Sequence, residues 1–207
     1  MKILTVIVGI NHWQDVTHIF LDSILKYESN PRIAVIDNFS DVPYAHDRCW
    51  IVRSEKRLGF PAAINLALDT FTDWDKVIVF NNDCWCSGRY LDKVAECDEN
   101  TFYGSAWNQP IDGKILVYSA WMVISKKVWE LVGRFDEEME AGWEDFDYEL
   151  RCQKLGVLID VLNIPVNHTA KSTRLEERDY LDRWDKTRLV YSRKHGIETV
   201  KMNGEKD

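Results

Sequence analysis

Three short runs of apolar, largely β-branched residues each end on a polar cluster, with helical segments between them. The runs are Ile3–Val8, Arg32–Asp37 (RIAVID) and Lys76–Phe80 (KVIVF). Near-continuous apolar runs of this length suit strands buried on both faces. Thr17–Tyr27 carries Phe20, Ile24 and Tyr27 at helical spacing. Pro61–Thr70 carries Ile64 and Leu68, and Pro61 stands at a first helical position. Trp50–Arg53 reads as a further, weaker strand. Parallel strands need crossover connections, usually helices. The alternation therefore predicts an α/β fold with a mostly parallel central sheet flanked by helices.

The second half is more mixed. Ser87–Cys97 reads as a helix, and Phe102–Trp107 and Ile115–Ile124 as strands. Ser125 is an N-cap for a helix over Lys126–Val132, and Gly133 is its stop. Trp143–Leu155 is helical, Val157–Leu162 and Pro165–Asn167 are extended, and Arg174–Lys194 is a long amphipathic helix carrying Leu181, Trp184 and Tyr191. No repeat, low-complexity tract or linker interrupts the 207 residues, a length that suits one domain.

The formal net charge of -8 argues against nucleic acid as a partner, because such binding needs a basic surface. The five cysteines make no C-x-x-C pair and no disulfide-like pattern. They point to a reducing compartment, and a cytoplasmic location is expected. No run reaches the ~20 apolar residues of a membrane span. The short apolar start lacks a small-residue cleavage site and reads as the first strand rather than a leader.

Ligands of open α/β sheets bind beyond the carboxyl ends of the strands. Here those ends carry Gly9-Ile10-Asn11, Asp37-Asn38 and Asn81-Asn82-Asp83. A carboxylate at such an edge can hold Mg²⁺, with phosphate oxygens and water filling the shell, and neighbouring amides can orient ribose or diphosphate. The other reading of Asn81–Asp83 is a turn after a strand, which Asn and Asp favour. Asp37 ends the second strand, where an acid can accept from a ribose or base, or cap a turn. No G-x-G-x-x-G follows the first strand, which disfavours a dehydrogenase.

Gly142-Trp143-Glu144-Asp145-Phe146-Asp147 puts three acids in the first turn of a helix. Acids there offset the helix dipole, and Asp147 can pair with Arg151 at i,i+4. The same helix is apolar on two sides, so its acids need partners or a ligand. One at a cleft edge could take the proton of an attacking hydroxyl. His168 is an ordinary histidine or a metal ligand. Of nine tryptophans, Trp121 and Trp143 flank the acidic segment and could stack on a sugar ring, although core packing explains most aromatic residues.

Taken in order, five motifs resemble the family 2 glycosyltransferases of the GT-A fold, a group of rhamnosyltransferase-like nucleotide-sugar transferases. They are Val35-Ile36-Asp37-Asn38-x-Ser40, Arg57-x-Gly59-Phe60-x-x-Ala63-x-Asn65, VIVFNND, Gly133-x-Phe135-Asp136-Glu137 with Trp143-Glu144-Asp145-x-Asp147-x-x-x-Arg151, and His168-x-x-x-Ser172. The resemblance implies a single GT-A domain over 1–207, with a nucleotide-binding part over about 1–107, an acceptor part over about 108–173 and a C-terminal helix over about 174–195. It implies transfer of a sugar from a UDP, GDP or dTDP donor to the hydroxyl of a glycan, lipid-linked or protein acceptor, with inversion.

It further implies that Mg²⁺ or Mn²⁺ sits on Asp83 with His168, that Asp145 is the general base and that Glu144 is the fallback. Asp37, Asn38, Gly9, Asn11, Asn65, Asn82 and Trp121 become the donor-binding candidates. Two departures stand out. Asn81 occupies the position where many relatives carry the first acid of D-x-D. Little follows His168 beyond one helix, so an acceptor site from a C-terminal extension is expected to be minimal. The rivals are a sugar nucleotidyltransferase, whose Gly-rich, Arg-containing first loop is missing from Val8–Asn11, and a non-catalytic nucleotide-sugar binding module.

Overall fold

In a computed structural model of the chain, residues 1–106, 117–169 and 180–199 are described. The elements are β1 (Ile3–Gly9), a π-helical turn (Trp13–Thr17), α1 (His18–Tyr27), β2 (Arg32–Asp37), β3 (Trp50–Arg53), α2 (Phe60–Thr70), β4 (Lys76–Asn81) and β5 (Cys84–Cys86). Then follow α3 (Leu91–Glu96), β6 (Thr101–Ala106), β7 (Val117–Ser125), α4 (Lys126–Val132), α5 (Glu144–Lys154), β8 (Leu158–Val161), β9 (Val166–His168) and α6 (Tyr180–His195).

Seven strands form one sheet in the order β3-β2-β1-β4-β7-β6-β8. Every neighbouring pair is parallel except the two that involve β7, so β7 alone runs against the rest. This is the mostly parallel α/β sheet that the alternating sequence predicts. Strand periodicity sorts its side chains into two cores. Val77 and Val79 of β4 pack with Ala63, Ile64, Val128, Tyr148 and Cys152 from α2, α4 and α5. Ile78 and Phe80 point the other way, to Phe20, Leu21 and Ile24 of α1 and Val94 of α3. Both faces of the sheet are therefore covered, which is why the β4 sequence is a continuous apolar run.

The helix expected over Ser87–Cys97 is shorter than the sequence suggested. Residues Cys84–Cys86 pair as a strand with β9, and the helix begins only at Leu91. The Glu28 carboxylate accepts from the backbone N–H groups of Tyr90 and Leu91 at the start of α3. At its end, the buried Lys76 ammonium donates to the carbonyls of Val94, Ala95 and Cys97. An anion and a cation thus cap a six-residue helix at opposite ends, each at the favourable pole of its dipole.

The Ser125 cap is as expected, with its Oγ accepting from Val128 N at 3.0 Å. In α6, Tyr191 is buried and Trp184 packs against its cluster as expected, whereas Leu181 lies exposed and Thr187 and Arg188 complete the buried side. The expected helix start at Arg174, Trp107 and Ile115 lie outside the described residues.

Candidate active site

The carboxyl ends of β1, β2 and β4 open into a cleft. Its floor carries Gly9, Asn38, Asn81, Asn82 and Asp83. Its opposite wall carries Trp143, Glu144 and Asp145, and His168 also lines it. Asn82 and Asp83 are the two turn residues joining β4 to β5. The turn reading of this run is therefore what the structure shows, and the turn lines the cleft. Gly9 is needed for close approach: a Cβ there would lie 3.0 Å from both Thr17 Oγ1 and the Tyr44 hydroxyl, and 3.2 Å from Asn82 Nδ2. Asn82 Nδ2 donates to Thr17 Oγ1 at 3.1 Å, which ties the turn to α1.

Asp83 and His168 meet through the small β5–β9 ribbon, where Cys84 lies opposite His168. Asp83 Oδ1 is 2.9 Å from His168 Nε2. The Asp83 carbonyl accepts from both the N–H and the hydroxyl of Thr169, at 3.0 Å each. Both side chains are largely buried, at 9% and 13% exposure, so their orientation is held by the ribbon. Two ligand atoms about 2.1 Å from one octahedral ion, at right angles, stand about 3 Å apart. The pair therefore fits a shared divalent cation as its donor set.

The acids of α5 divide into two groups. Asp147 Oδ2 accepts from Arg151 Nε at 2.8 Å, and its Oδ1 is 2.8 Å from His195 Nε2 on α6. Glu149 accepts from Val117 N at 3.1 Å and from Gln153 Nε2 at 2.9 Å. These two join α5 to its neighbours. Glu144 and Asp145 face the cleft instead. Asp145 Oδ2 accepts from Ser119 N at 3.1 Å and Oδ1 from Phe146 N at 2.9 Å. A carboxylate has about four acceptor positions, so two backbone donors fix its orientation and leave lone pairs over. Burial pushes the Asp145 carboxyl above its usual range, and the N–H groups of Phe146 and Ser119 offset part of that rise.

Glu149 is pushed from 4.5 to about 7, chiefly by burial, with the Val117 N–H opposing and the Asp145 charge adding. A folded-state value above the unfolded one means that the folded chain holds the proton more tightly. Stability from this group is then full below about pH 4.5 and lost as pH rises through about 7. Glu149→Gln keeps the shape and carries no charge to bury. Both Glu149 oxygens accept hydrogen bonds, so the amide must turn its NH₂ toward one donor, at a cost of about 1–3 kcal/mol at every pH. On top of that offset, the unfolding free energy of the variant relative to wild type is expected to rise by about 2 kcal/mol, or roughly 4–8 °C in midpoint, between pH 4.5 and pH 8. Thermal unfolding of both chains across this range measures it; an equal difference at both pH values would refute the ionised Glu149 as the cause.

Four of the donor-binding candidates do not reach the cleft. Asp37 is fully buried, accepting from Ser40 N (2.9 Å), Tyr44 N (3.1 Å) and Arg53 Nη1 (2.6 Å). Burial raises its carboxyl, but these donors outweigh it and leave it below the usual range. Asn11 bridges two loops, its N–H donating to Ser40 Oγ and its Oδ1 accepting from Asp41 N. Asn65 closes on Phe135 and Glu137, accepting from Phe135 N and donating to both. Trp121 packs in the α1-side core and donates to the Leu162 carbonyl at 3.1 Å. Asn38 does line the cleft while exchanging hydrogen bonds with both backbone groups of Leu58.

The structure adds residues that sequence reasoning missed. Arg57 and Glu140 line the cleft, and so do Arg183 and Trp184 from α6. The C-terminal helix therefore supplies wall to the cleft. Trp184 lies against Gly142, where a Cβ would come within 2.7 Å of its ring and φ is +76°. Trp143 follows with φ 68°, an unusual value for a bulky side chain. This pair of left-handed residues swings Trp143 under Trp184 and Tyr191, at ring separations of 5.1 and 5.0 Å. The buried Trp143 indole N–H meets no acceptor among the described residues. A signal for Arg183-Trp184 existed in the amphipathic pattern of α6, but only folding shows which face meets the cleft.

No protein-family model and no curated protein sequence matches the chain. Solved structures do. GalNAc-T7 with UDP, GalNAc and Mn²⁺ superposes at TM-score 0.69 and 14% identity over 92% of this chain and 48% of its own. The mannosyltransferase PcManGT from Pyrobaculum calidifontis, in complex with GDP-Man and Mn²⁺, gives 0.70 and 15% over 96% and 65%. S. aureus TarS 1-349 with UDP-GlcNAc gives 0.65 and 14% over 99% and 69%. The chain thus spans about half of the first of these and about two thirds of the others. No helix of the described residues is long and apolar enough to cross a membrane. At such identities the likeness is one of architecture, and the architecture is the GT-A type of fold shared with these glycosyltransferases.

Proposed function

We propose that the chain is a glycosyltransferase that moves a sugar from a nucleotide-sugar donor to an acceptor hydroxyl with inversion, and that its motifs make it a relative of the family 2 enzymes. One observation carries the reading: a single cleft at the strand ends is lined both by the Asp83–His168 pair and by the buried, oriented Asp145. Those are the two functions that such a transfer needs, a hold on the diphosphate and a base for the acceptor. In this single domain, residues of about 1–107 bind the donor, residues of about 108–173 carry the acceptor chemistry, and the C-terminal helix adds wall.

In this reading the donor diphosphate lies over the β4–β5 turn. Asn82 and Asn38 orient it, and Arg57 and Arg183 bring positive charge to the wall of an otherwise acidic chain. Asp83 and His168 would hold a divalent cation, which would supply positive charge against the leaving nucleoside diphosphate. The imidazole nitrogen in that set favours Mn²⁺ over Mg²⁺, which prefers oxygen throughout. Asp145, or Glu144 beside it, takes the acceptor's proton as the acceptor oxygen bonds the anomeric carbon. The carbon–oxygen bond to the phosphate breaks on the opposite face, so configuration inverts. Trp143 keeps the sugar-stacking role, Trp184 takes it in place of Trp121, and the buried Trp143 N–H can donate to the ligand.

The test is calorimetry of UDP, GDP and dTDP with Mn²⁺, followed by nucleotide release from the matching sugar donors with and without acceptor sugars. One nucleotide is expected to bind in a Mn²⁺-dependent way, and its donor to release diphosphate faster when acceptor is present. Binding without release from any donor would favour the non-catalytic module. No binding of any of the three would overturn both readings.

A further inference from the structure

A second cluster of metal-ligating side chains lies away from the cleft, and no step of the proposed transfer uses it. His18 opens α1, and Asp22 follows one turn later on the same helix face. His46 comes from the loop between β2 and β3. One ligand atom from each of the three lies within 4.8 Å of the others. His18 Nδ1 and Asp22 Oδ2 are 3.3 Å apart. That is the separation of two ligand atoms each about 2.0–2.1 Å from one tetrahedral ion. The two spans to His46 are at most 4.8 Å, and each needs to shorten by at most about 1.5 Å, which small χ rotations supply.

The imidazoles are placed rather than loose. Trp13 meets His18 edge-on at 5.5 Å and His46 at 6.3 Å, and it rests on Tyr44 at 4.6 Å. The two histidine rings are themselves 5.5 Å apart. Their side chains are 33% and 12% exposed, while Asp22 at 59% leaves one side open to solvent. An ion can therefore enter without the fold opening. Arg48 N donates to His46 Nδ1 at 3.0 Å, which helps to fix that ring. The Asp47 carboxylate, 3.7 Å from the same nitrogen, adds favourable negative charge.

We propose that His18, Asp22 and His46 form a transition-metal site of the Zn²⁺ type, with water in the fourth position. Two neutral imidazoles and one carboxylate are a nitrogen-rich set that suits Zn²⁺ and its neighbours and disfavours Mg²⁺ and Ca²⁺. Binding exchanges solvent ligands for three side chains and involves no redox step. The bound ion staples α1 to the β2–β3 loop. Thr17, the residue before His18, holds Asn82 of the cleft, so the staple fixes the corner from which the cleft is built. The site stands independently of the transfer reading.

The experiment uses the full chain with Asp83→Ala and His168→Ala, which removes the other candidate donor set. Co²⁺ alone is titrated and followed by its visible four-coordinate absorption, and Zn²⁺ alone is followed by thermal unfolding. One equivalent of Co²⁺ is expected to give the four-coordinate spectrum, excess Mg²⁺ to leave it unchanged, and Zn²⁺ to raise the midpoint. Adding His46→Ala should weaken binding by about tenfold or more. The exposed Asp22→Asn, which disturbs no packing, should weaken it as well, and it decides the matter if His46→Ala fails to fold. A spectrum that never becomes four-coordinate, one that Mg²⁺ displaces, or undiminished affinity in Asp22→Asn would each overturn the proposal.

Discussion

Asp145→Asn is expected to lower kcat by about three orders of magnitude, while Mn²⁺-dependent nucleotide affinity stays within about threefold. The base is removed and the volume kept. The substitution has a second effect that the geometry makes explicit. Both carboxylate oxygens accept from backbone N–H groups, of Ser119 and Phe146. An amide can satisfy one of them and must turn its NH₂ toward the other. The variant should therefore lose about 1–3 kcal/mol of stability as well. Thermal unfolding and calorimetry separate the two effects, because nucleotide affinity tests whether the cleft is intact. The pH profile is the sharper readout. Burial places the Asp145 carboxyl above its ordinary range, and the base acts only when ionised. Wild-type kcat should fall as pH drops through that raised value, and the residual rate of the variant should lack that acid limb. Full transfer by Asp145→Asn would reject the assignment and move attention to Glu144, the neighbouring acid in the cleft.

Asp83→Ala should cost at least about 100-fold in Mn²⁺-dependent nucleotide affinity, measured by calorimetry, and should make the remaining affinity indifferent to EDTA. The chain has one carboxylate at the end of β4 where Asn81 might have been a second, so no neighbouring acid in that turn substitutes for it. Removing Asp83 also removes the group 2.9 Å from His168 Nε2 that orients the imidazole. Both members of the pair are affected by one substitution, which is why the expected loss is large. His168→Ala is the milder variant, because the carboxylate remains. Wild-type affinity that is equal with Mn²⁺ and with EDTA would reject the metal assignment altogether.

Most of the parallel sheet was legible in the sequence because its strands are buried on both sides. Val77–Phe80 has no polar position to blur the pattern, and the strand is found where the apolar run is. The β5–β9 ribbon was not legible. Cys84–Cys86 is three residues long, and its partner lies in another part of the chain, so no local periodicity marks it. The helix expected from Ser87 failed for a related reason. Its start is set by Glu28, a distant carboxylate that caps Tyr90 and Leu91.

At the site, residue type found the right strand ends but not the direction of each side chain. Asp37 ends β2 and Asp83 lies in the turn just after β4, yet Arg53 and the Ser40–Tyr44 loop claim the first, while the second lines the cleft. Asp145 and Asp147 share a helical turn; the Arg151 partner of Asp147 was legible from its i,i+4 spacing, but His195, on another helix, was not. Arg183 and Trp184 escaped notice because an amphipathic stripe says that a face is covered, not what it covers.

The ribbon that joins Asp83 to His168 has a kinetic consequence. Asp83 and Thr169 are 86 residues apart in the chain, and two strands of three residues bring them together. Closing so long a loop for so few contacts is entropically late, so this junction should be among the last parts to form and the first to open. A nucleotide with its ion, held by both sides, would then act as a rivet: it slows opening there more than anywhere else in the molecule. Hydrogen exchange at the amides of Ser87 and Thr169, which donate across the junction to the carbonyls of Pro165 and Asp83, would report ligand occupancy directly, without any measurement of transfer.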